Sequence, residues 1–211
     1  MKRIYLILVG LILLAAPSLR AEFRYAPVAG VTIGTLHFKQ NLFDVGQQVA
    51  FQAGIQGELM FPGLGFGIDF GLLYNQMGAR TNLGQREIWS SDGFGDVNTR
   101  LHMATIPVHL RFKWTRMNGF EDYLAPFVYG GPEISIMAAH NKIKGNEGVP
   151  NPYKYSGGDL GLCVGAGAEI MKRWQVSLQY TWGMTYLLKT QKLDNFSAQN
   201  RQWAVRVAYF F

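Results

Sequence analysis

The sequence predicts an all-β protein, an eight-stranded antiparallel up-and-down transmembrane β-barrel preceded by a cleaved signal peptide. Three observations carry that prediction. Long segments alternate apolar and polar residues with period 2, and the connections between them alternate in length. The composition is also short of charge: 16% of the 211 residues are charged, against 48% hydrophobic and 14% aromatic. A soluble domain usually carries about a quarter charged residues. The 25 glycines disfavour a helical protein, because glycine inside a helix costs roughly 1 kcal/mol relative to alanine. Strands that bend and close tolerate it.

The chain opens with Lys2 and Arg3, an apolar run from Ile4 to Ala16, and small residues up to Ala21. This is the charged, apolar and cleavable order of a secretory signal, so residues 1–21 are expected to be removed and 22–211 to form the barrel domain. The apolar run falls short of the roughly 20 residues of a spanning helix, and any insertion must use strands. The formal net charge is +6 from 20 basic and 14 acidic residues. Setting aside Lys2, Arg3 and Arg20 leaves 17 basic against 14 acidic, or +3. That is too little to suggest a nucleic-acid partner. The single cysteine, Cys163, excludes an internal disulfide and lies far from any lipoprotein cleavage site. It is expected to pack as a small buried side chain rather than react as a thiol.

Two segments show the alternation plainly. Val49, Phe51, Ala53, Ile55, Gly57, Leu59 and Phe61 form one face, with Gln52, Gln56 and Glu58 on the other. Trp174, Val176, Leu178, Tyr180, Trp182, Met184 and Tyr186 do the same against Gln175, Ser177, Gln179 and Thr181. Such long strands fit a wall with lipid outside and a polar lumen inside. Eight are expected, near 26–38, 48–61, 65–78, 100–114, 124–138, 158–171, 174–187 and 200–211. Connections near 62–64, 115–123 and 172–173 are short, as periplasmic turns should be, with Pro62-Gly63 supplying one tight turn. Those near 39–47, 79–99, 139–157 and 188–199 are longer, as external loops should be.

Aromatic residues fall at strand ends on the outward parity. Phe61, Trp114, Trp174 and Phe211 mark the periplasmic rim, while Tyr186 and Trp203 approach the external one. Rings with an apolar body and a polar edge favour the membrane interface, so these six are read as an interfacial girdle. The closing pattern Trp203, Val205, Val207, Tyr209, Phe211 also resembles the terminal signal read by the barrel assembly machinery during insertion.

Five short segments, taken in their order and spacing, carry a resemblance to a known family. They are Phe70-Gly71-Leu72-Leu73-Tyr74-Asn75-Gln76-Met77-Gly78, Ala104-Thr105-Ile106-Pro107-Val108-His109-Leu110, and Tyr129-Gly130-Gly131-Pro132. Then come Asp159-Leu160-Gly161-Leu162 with Gly165 and Gly167, and Tyr209-Phe210-Phe211. In this the chain resembles the PorT-like outer-membrane β-barrel family of Bacteroidota. The resemblance implies an eight-stranded barrel in the bacterial outer membrane, usually with no assigned activity. One branch of that family takes part in type IX protein secretion, and the residues do not distinguish that branch from the others.

Inward parity collects Glu58, Asp69, Arg111, Lys113, Glu133, Asp159, Glu169 and Arg206. Eight strands leave an interior that side chains fill, and unpaired charges there cost several kcal/mol each. These residues are therefore expected to form a paired polar network rather than an ion path. No catalytic residues are expected. Acyl hydrolysis needs a histidine aimed at a nucleophile and held by an acid. None of His37, His102, His109 and His140 is placed by parity in a Ser/His/acid cluster. His102, outward near the external rim, is the best single candidate, and a plain interfacial histidine is the favoured reading. Gly63, Gly65 and Gly67 sit at a hairpin end without the helix of a dinucleotide site, and no His/Cys/acid spacing suggests a structural metal site, so no metal is expected. No cofactor is expected.

The remaining candidates are loops 79–99 and 139–157. The first carries Arg80, Arg86, Glu87, Trp89, Asp92, Phe94 and Asp96; the second carries Lys142, Lys144, Tyr153, Lys154 and Tyr155. They suit a protein, glycan or lipopolysaccharide partner, with the lysines placed to meet lipid phosphates. The favoured function is a non-enzymatic membrane component, structural or partner-binding. A secretion accessory and a lipid A-modifying enzyme are the alternatives.

Overall fold

In the computed structural model, residues 22–39, 44–61, 63, 65–143, 145–190 and 197–211 are described. The expected signal peptide, Pro62 and Lys144 lie outside them. Eight long strands form the wall: β1 Glu22–Phe38, β2 Gln48–Phe61, β3 Phe66–Asn82, β4 Asp96–Lys113, β5 Leu124–His140, β6 Gly158–Ile170, β7 Trp174–Gly183 and β8 Ser197–Tyr209. Each pairs antiparallel with its chain neighbour. β1 pairs with β8 from Val28↔Ala208 to Phe38↔Ala198, which closes the sheet. Closure removes the unpaired edge that lipid cannot satisfy.

Period 2 sets the two faces. On β4 every odd residue from Val97 to Lys113 is buried and no even one is. The outward positions hold Phe51, Ile55, Leu72, Leu110, Ile134, Val176 and Val205, all exposed. This inverts the soluble pattern, because lipid rather than water covers the outer face.

Three features of the wall differ from the sequence expectation. β1 begins at Glu22, four residues early, and so brings Arg24 into the barrel. β3 and β4 run out to Asn82 and back from Asp96, reducing the expected loop 79–99 to 83–95. β7 ends at Gly183 rather than near 187. For β1, β3 and β4 the reason is shared: backbone pairing continues past the apolar pattern, whereas β7 stops before Met184 and Tyr186, the last residues of its pattern. A 17-residue strand such as β1, at about 3.3 Å per residue and a tilt of roughly 40°, rises about 43 Å. The lipid-facing band needs only about 25 Å, so the strand ends stand clear of it. Short strands extend the outer rim further. Val45–Gly46 pairs with β3, and Tyr153–Tyr155 pairs with Leu188–Thr190, which pairs with β8.

Candidate functional site

The lumen is filled in two tiers, and the periplasmic tier is ionic. Arg111 on β4 donates from Nε and Nη2 to Asp69 on β3, with Nη2 2.6 Å from Oδ2. Its Nη1 lies 3.2 Å from Glu58 Oε2 on β2. Lys113 Nζ lies 2.7 Å from Glu58 and 2.8 Å from Glu169 on β6. Arg24 on β1 bridges the same two carboxylates, and the Gln175 amide on β7 donates to both at 2.8 Å. Three cations thus meet three carboxylates, with Glu58 at the centre and 0% exposed. The Arg111 guanidinium also lies 4.1 Å from the Phe127 ring centre, a favourable cation–π distance. All of these charges except the part-exposed Arg24 are buried, and only mutual pairing makes that tolerable.

The eight polar positions expected from parity are all buried, but they do not form one network. Glu58, Asp69, Arg111, Lys113 and Glu169 gather as described. Glu133 sits apart, 3.3 Å from His109 and 3.1 Å from the Thr181 hydroxyl. Arg206 donates to Gln56 and Gln179, with no carboxylate within ion-pair distance among the described residues. Asp159 accepts from Thr185, 2.6 Å away, near the outer end. Parity finds a face and says nothing about height, so it could not separate these groups. It also missed Arg24, which lay before the expected start of β1.

Small residues on β6 make room for the filling. A Cβ built on Gly165 would lie 2.4 Å from Tyr129, and one on Gly167 would lie 2.7 Å from Phe127. Tyr129 and Phe127 therefore lie flat across β6 and against the arginine. The void left among Gln56, Arg111, Tyr129 and Arg206 is about 10 Å³, room for about one water. A vestibule of about 440 Å³ opens below the network at the periplasmic mouth, over Arg24, Lys113 and Glu169.

The outer tier is apolar, which the polar-lumen expectation did not contain. Leu36, Met77, Leu101 and Met103 from the wall pack with Leu83, Trp89 and Phe94 from loop 83–95 and with Tyr153, Leu187 and Leu188. Trp89 is 0% exposed. The loop aromatics Trp89, Phe94 and Tyr153, expected to face a partner, thus point inward and cap the barrel. Loop 141–157 braces this cap, with the Asn146 amide donating to Asp92 O at 2.8 Å. Tyr153 bonds Thr81 at 2.9 Å. Burial pushes its phenol above the ordinary tyrosine value, and burial pushes Tyr155 up to about 12. Arg86, Glu87, Ile88, Lys142 and Lys154 remain exposed on the outer surface.

On the outer wall, Trp114, Trp174 and Phe211 are exposed at the turn end, with Phe61 half-buried. They join a wider belt that sequence reading missed: Phe23 stacks on Phe70, Tyr25 on Phe211, and Trp174 packs edge-on against Tyr209. Toward the outer end, Trp203 packs edge-on against Tyr180, which meets Trp182 in the same way. Tyr186 lies beneath Lys39. His102 Nδ1 is 2.6 Å from the Tyr74 hydroxyl, which also accepts from Gln76. Among the described residues neither a serine nor a carboxylate hydrogen-bonds to His102.

Compared with known proteins, residues 15–189 match the family described as the outer membrane protein beta-barrel domain. The chain belongs to that family. It is a bacterial outer-membrane β-barrel protein. OprG from Pseudomonas aeruginosa superimposes with a TM-score of 0.53 at 11% identity, over 90% of this chain and 97% of that one. Ail, the attachment invasion locus protein of Yersinia pestis, gives 0.42 at 12% identity, over 90% and 99%. The N-terminal barrel domain of Pseudomonas aeruginosa OprF gives 0.43 at 10%, over 87% and 97%. Identities this low speak to fold alone. No curated protein sequence matches.

Proposed function

We propose that this barrel is a non-enzymatic outer-membrane component that conducts nothing through its lumen and acts, structurally or by binding a partner, at its external face. One observation carries the reading: the lumen is closed twice, by the Glu58–Arg111 ion network and by the Trp89 cap. An ion would have to cross both. Among the described residues, the surface outside the cap is of mixed charge and includes Arg86, Glu87, Lys142 and Lys154 beside Ile88. Arginine and lysine there suit lipopolysaccharide phosphates or an acidic partner, and the two aromatic levels on the wall suit anchoring at the lipid headgroups.

Planar-bilayer recording of the purified protein tests the closure: no steady single-channel current is expected, and large stable currents would overturn the reading. Purified lipid A incubated with the barrel should stay unmodified, since His102 is bonded to Tyr74 and Gln76 shares that phenol. Loss of an acyl chain that depends on His102 would refute this. The finer placement in the PorT-like family rests on the order and spacing of the five short segments. Isolation of the tagged protein from native membranes tests its secretion role, because an accessory would bring secretion subunits with it.

A further inference from the structure

Just outward of the ion network the wall brings a histidine, a carboxylate and the protein's single cysteine to one point. The register that pairs Pro107 with Glu133 and Leu110 with Gly130 sets His109 opposite Gly131. Gly131 in turn pairs with Cys163, and Cys163 with Thr181. Four neighbouring strands thus contribute one row. Gly131 lets the strands approach closely, since a Cβ there would lie 2.3 Å from Val108 O and 3.0 Å from His109 Cα. Glu133 lies one inward position along the same strand. A ligand atom from each of His109, Glu133 and Cys163 lies within 4.8 Å of the other two.

We infer that His109, Glu133 and Cys163 form an intrabarrel site for a transition-metal cation of the Zn²⁺ type. Nitrogen, thiolate sulfur and carboxylate oxygen are the donors that ion selects. All three residues are buried, with His109 at 2% exposure, Glu133 at 3% and Cys163 at 0%. Two observations besides proximity point to a cation. His109 Nε2 lies 3.3 Å from Glu133 Oε1 but off the line of a hydrogen bond, so it is a buried nitrogen aimed into the cluster without a hydrogen-bond partner. Such an orphan is costly unless something occupies its lone pair or proton.

Charge is the second observation. The three carboxylates of the lower network are matched by three cations, whereas Glu133 accepts from Thr181 and Gln179 and otherwise faces only the His109 ring, with no lysine or arginine in ion-pair range among the described residues. A divalent ion would neutralise Glu133 and a Cys163 thiolate together, with the thiol proton released on binding. Tetrahedral donors at about 2.0–2.3 Å from zinc stand roughly 3.3–3.8 Å apart. Closing from the present spread needs side-chain shifts of about 1 Å.

The experiment uses the full barrel, purified from outer membranes, unfolded, and refolded into detergent micelles with CoCl₂. One cobalt per chain should survive desalting, with an intense sulfur-to-cobalt absorption in the near ultraviolet. Only Cys163 can produce that band, because the chain has one cysteine. Cys163→Ala should abolish the band, and His109→Gln should lower affinity by about tenfold or more, which even an outer-sphere partner is worth. Folding of each variant is read from the mobility of the unheated barrel on a gel. Failure of a variant to fold leaves the wild-type spectrum to decide. A folded wild-type barrel that retains no cobalt, or binds it without the sulfur band, overturns the site.

Discussion

Arg111 shows what a buried charge in this lumen does. Its guanidinium is 2% exposed, bonded to Asp69 and in ion-pair contact with Glu58. Arg111→Ala leaves buried Asp69 without its cation, while Glu58 keeps Lys113 and Arg24, so a loss of about 3–5 kcal/mol is expected. Urea unfolding in lipid vesicles, followed by tryptophan fluorescence, measures it. Gly165 makes a steric counterpart. Its Cβ would overlap the Tyr129 ring at 2.4 Å, and moving that ring disturbs its bonds to Gln179 and Ser177. Gly165→Ala should cost about 1–3 kcal/mol, as overpacking does. The same unfolding measurement checks it, and an unchanged midpoint would mean that the ring is free to move.

The elements that decide access are loops 83–95 and 141–157 rather than the wall. Trp89 is the largest side chain in the cap and fully buried. Trp89→Ala should cost about 3–5 kcal/mol of local packing and expose loop 83–95 to protease on intact cells. Conductance should stay absent, since the ionic tier remains. The strand Tyr153–Tyr155 offers a pH test. A phenol raised by burial favours the neutral form in the folded state, so its contribution is complete below the unfolded value near 10 and fades as pH rises to the folded one. For Tyr155 that window ends at about 12. Absorbance titration at 295 nm should show late-ionising phenol, and Tyr155→Phe should remove one equivalent of it. Titration of all phenols near the ordinary value would show that the cap is loose.

At the scale of the whole molecule, orientation is the main consequence of an even number of strands. Both described termini, at Glu22 and Phe211, lie at the end with the short turns, and Phe211 N donates to Tyr25 O there. With Cys163 replaced by alanine, a cysteine at exposed Glu147 should react with an impermeant maleimide on intact cells. One at Asn118 in the β4–β5 turn should react only after the outer membrane is opened. Labelling of Asn118→Cys from outside would invert the topology. Beyond the closed lumen, the protein's described outer face is polar, with Arg86, Glu87, Lys142 and Lys154 exposed. Its wall meets lipid through Phe23, Tyr25, Trp174 and Trp203.

The amino-acid sequence by itself determined the barrel, its strand count and which residues turn inward. Each of these depends on period 2 and on loop lengths, which are local along the chain. Glu58, Arg111 and Trp174 were legible for that reason. Height within the barrel was not, because it depends on the register between strands and on where each strand starts. That is why Asp159 stands apart from the ion network, why Arg24 joins it, and why Trp89 caps the lumen instead of facing a partner. The meeting of His109, Glu133 and Cys163 belongs to the same class. Their positions in the chain bear no motif, and only the stagger of β4, β5 and β6 around Gly131 brings them together.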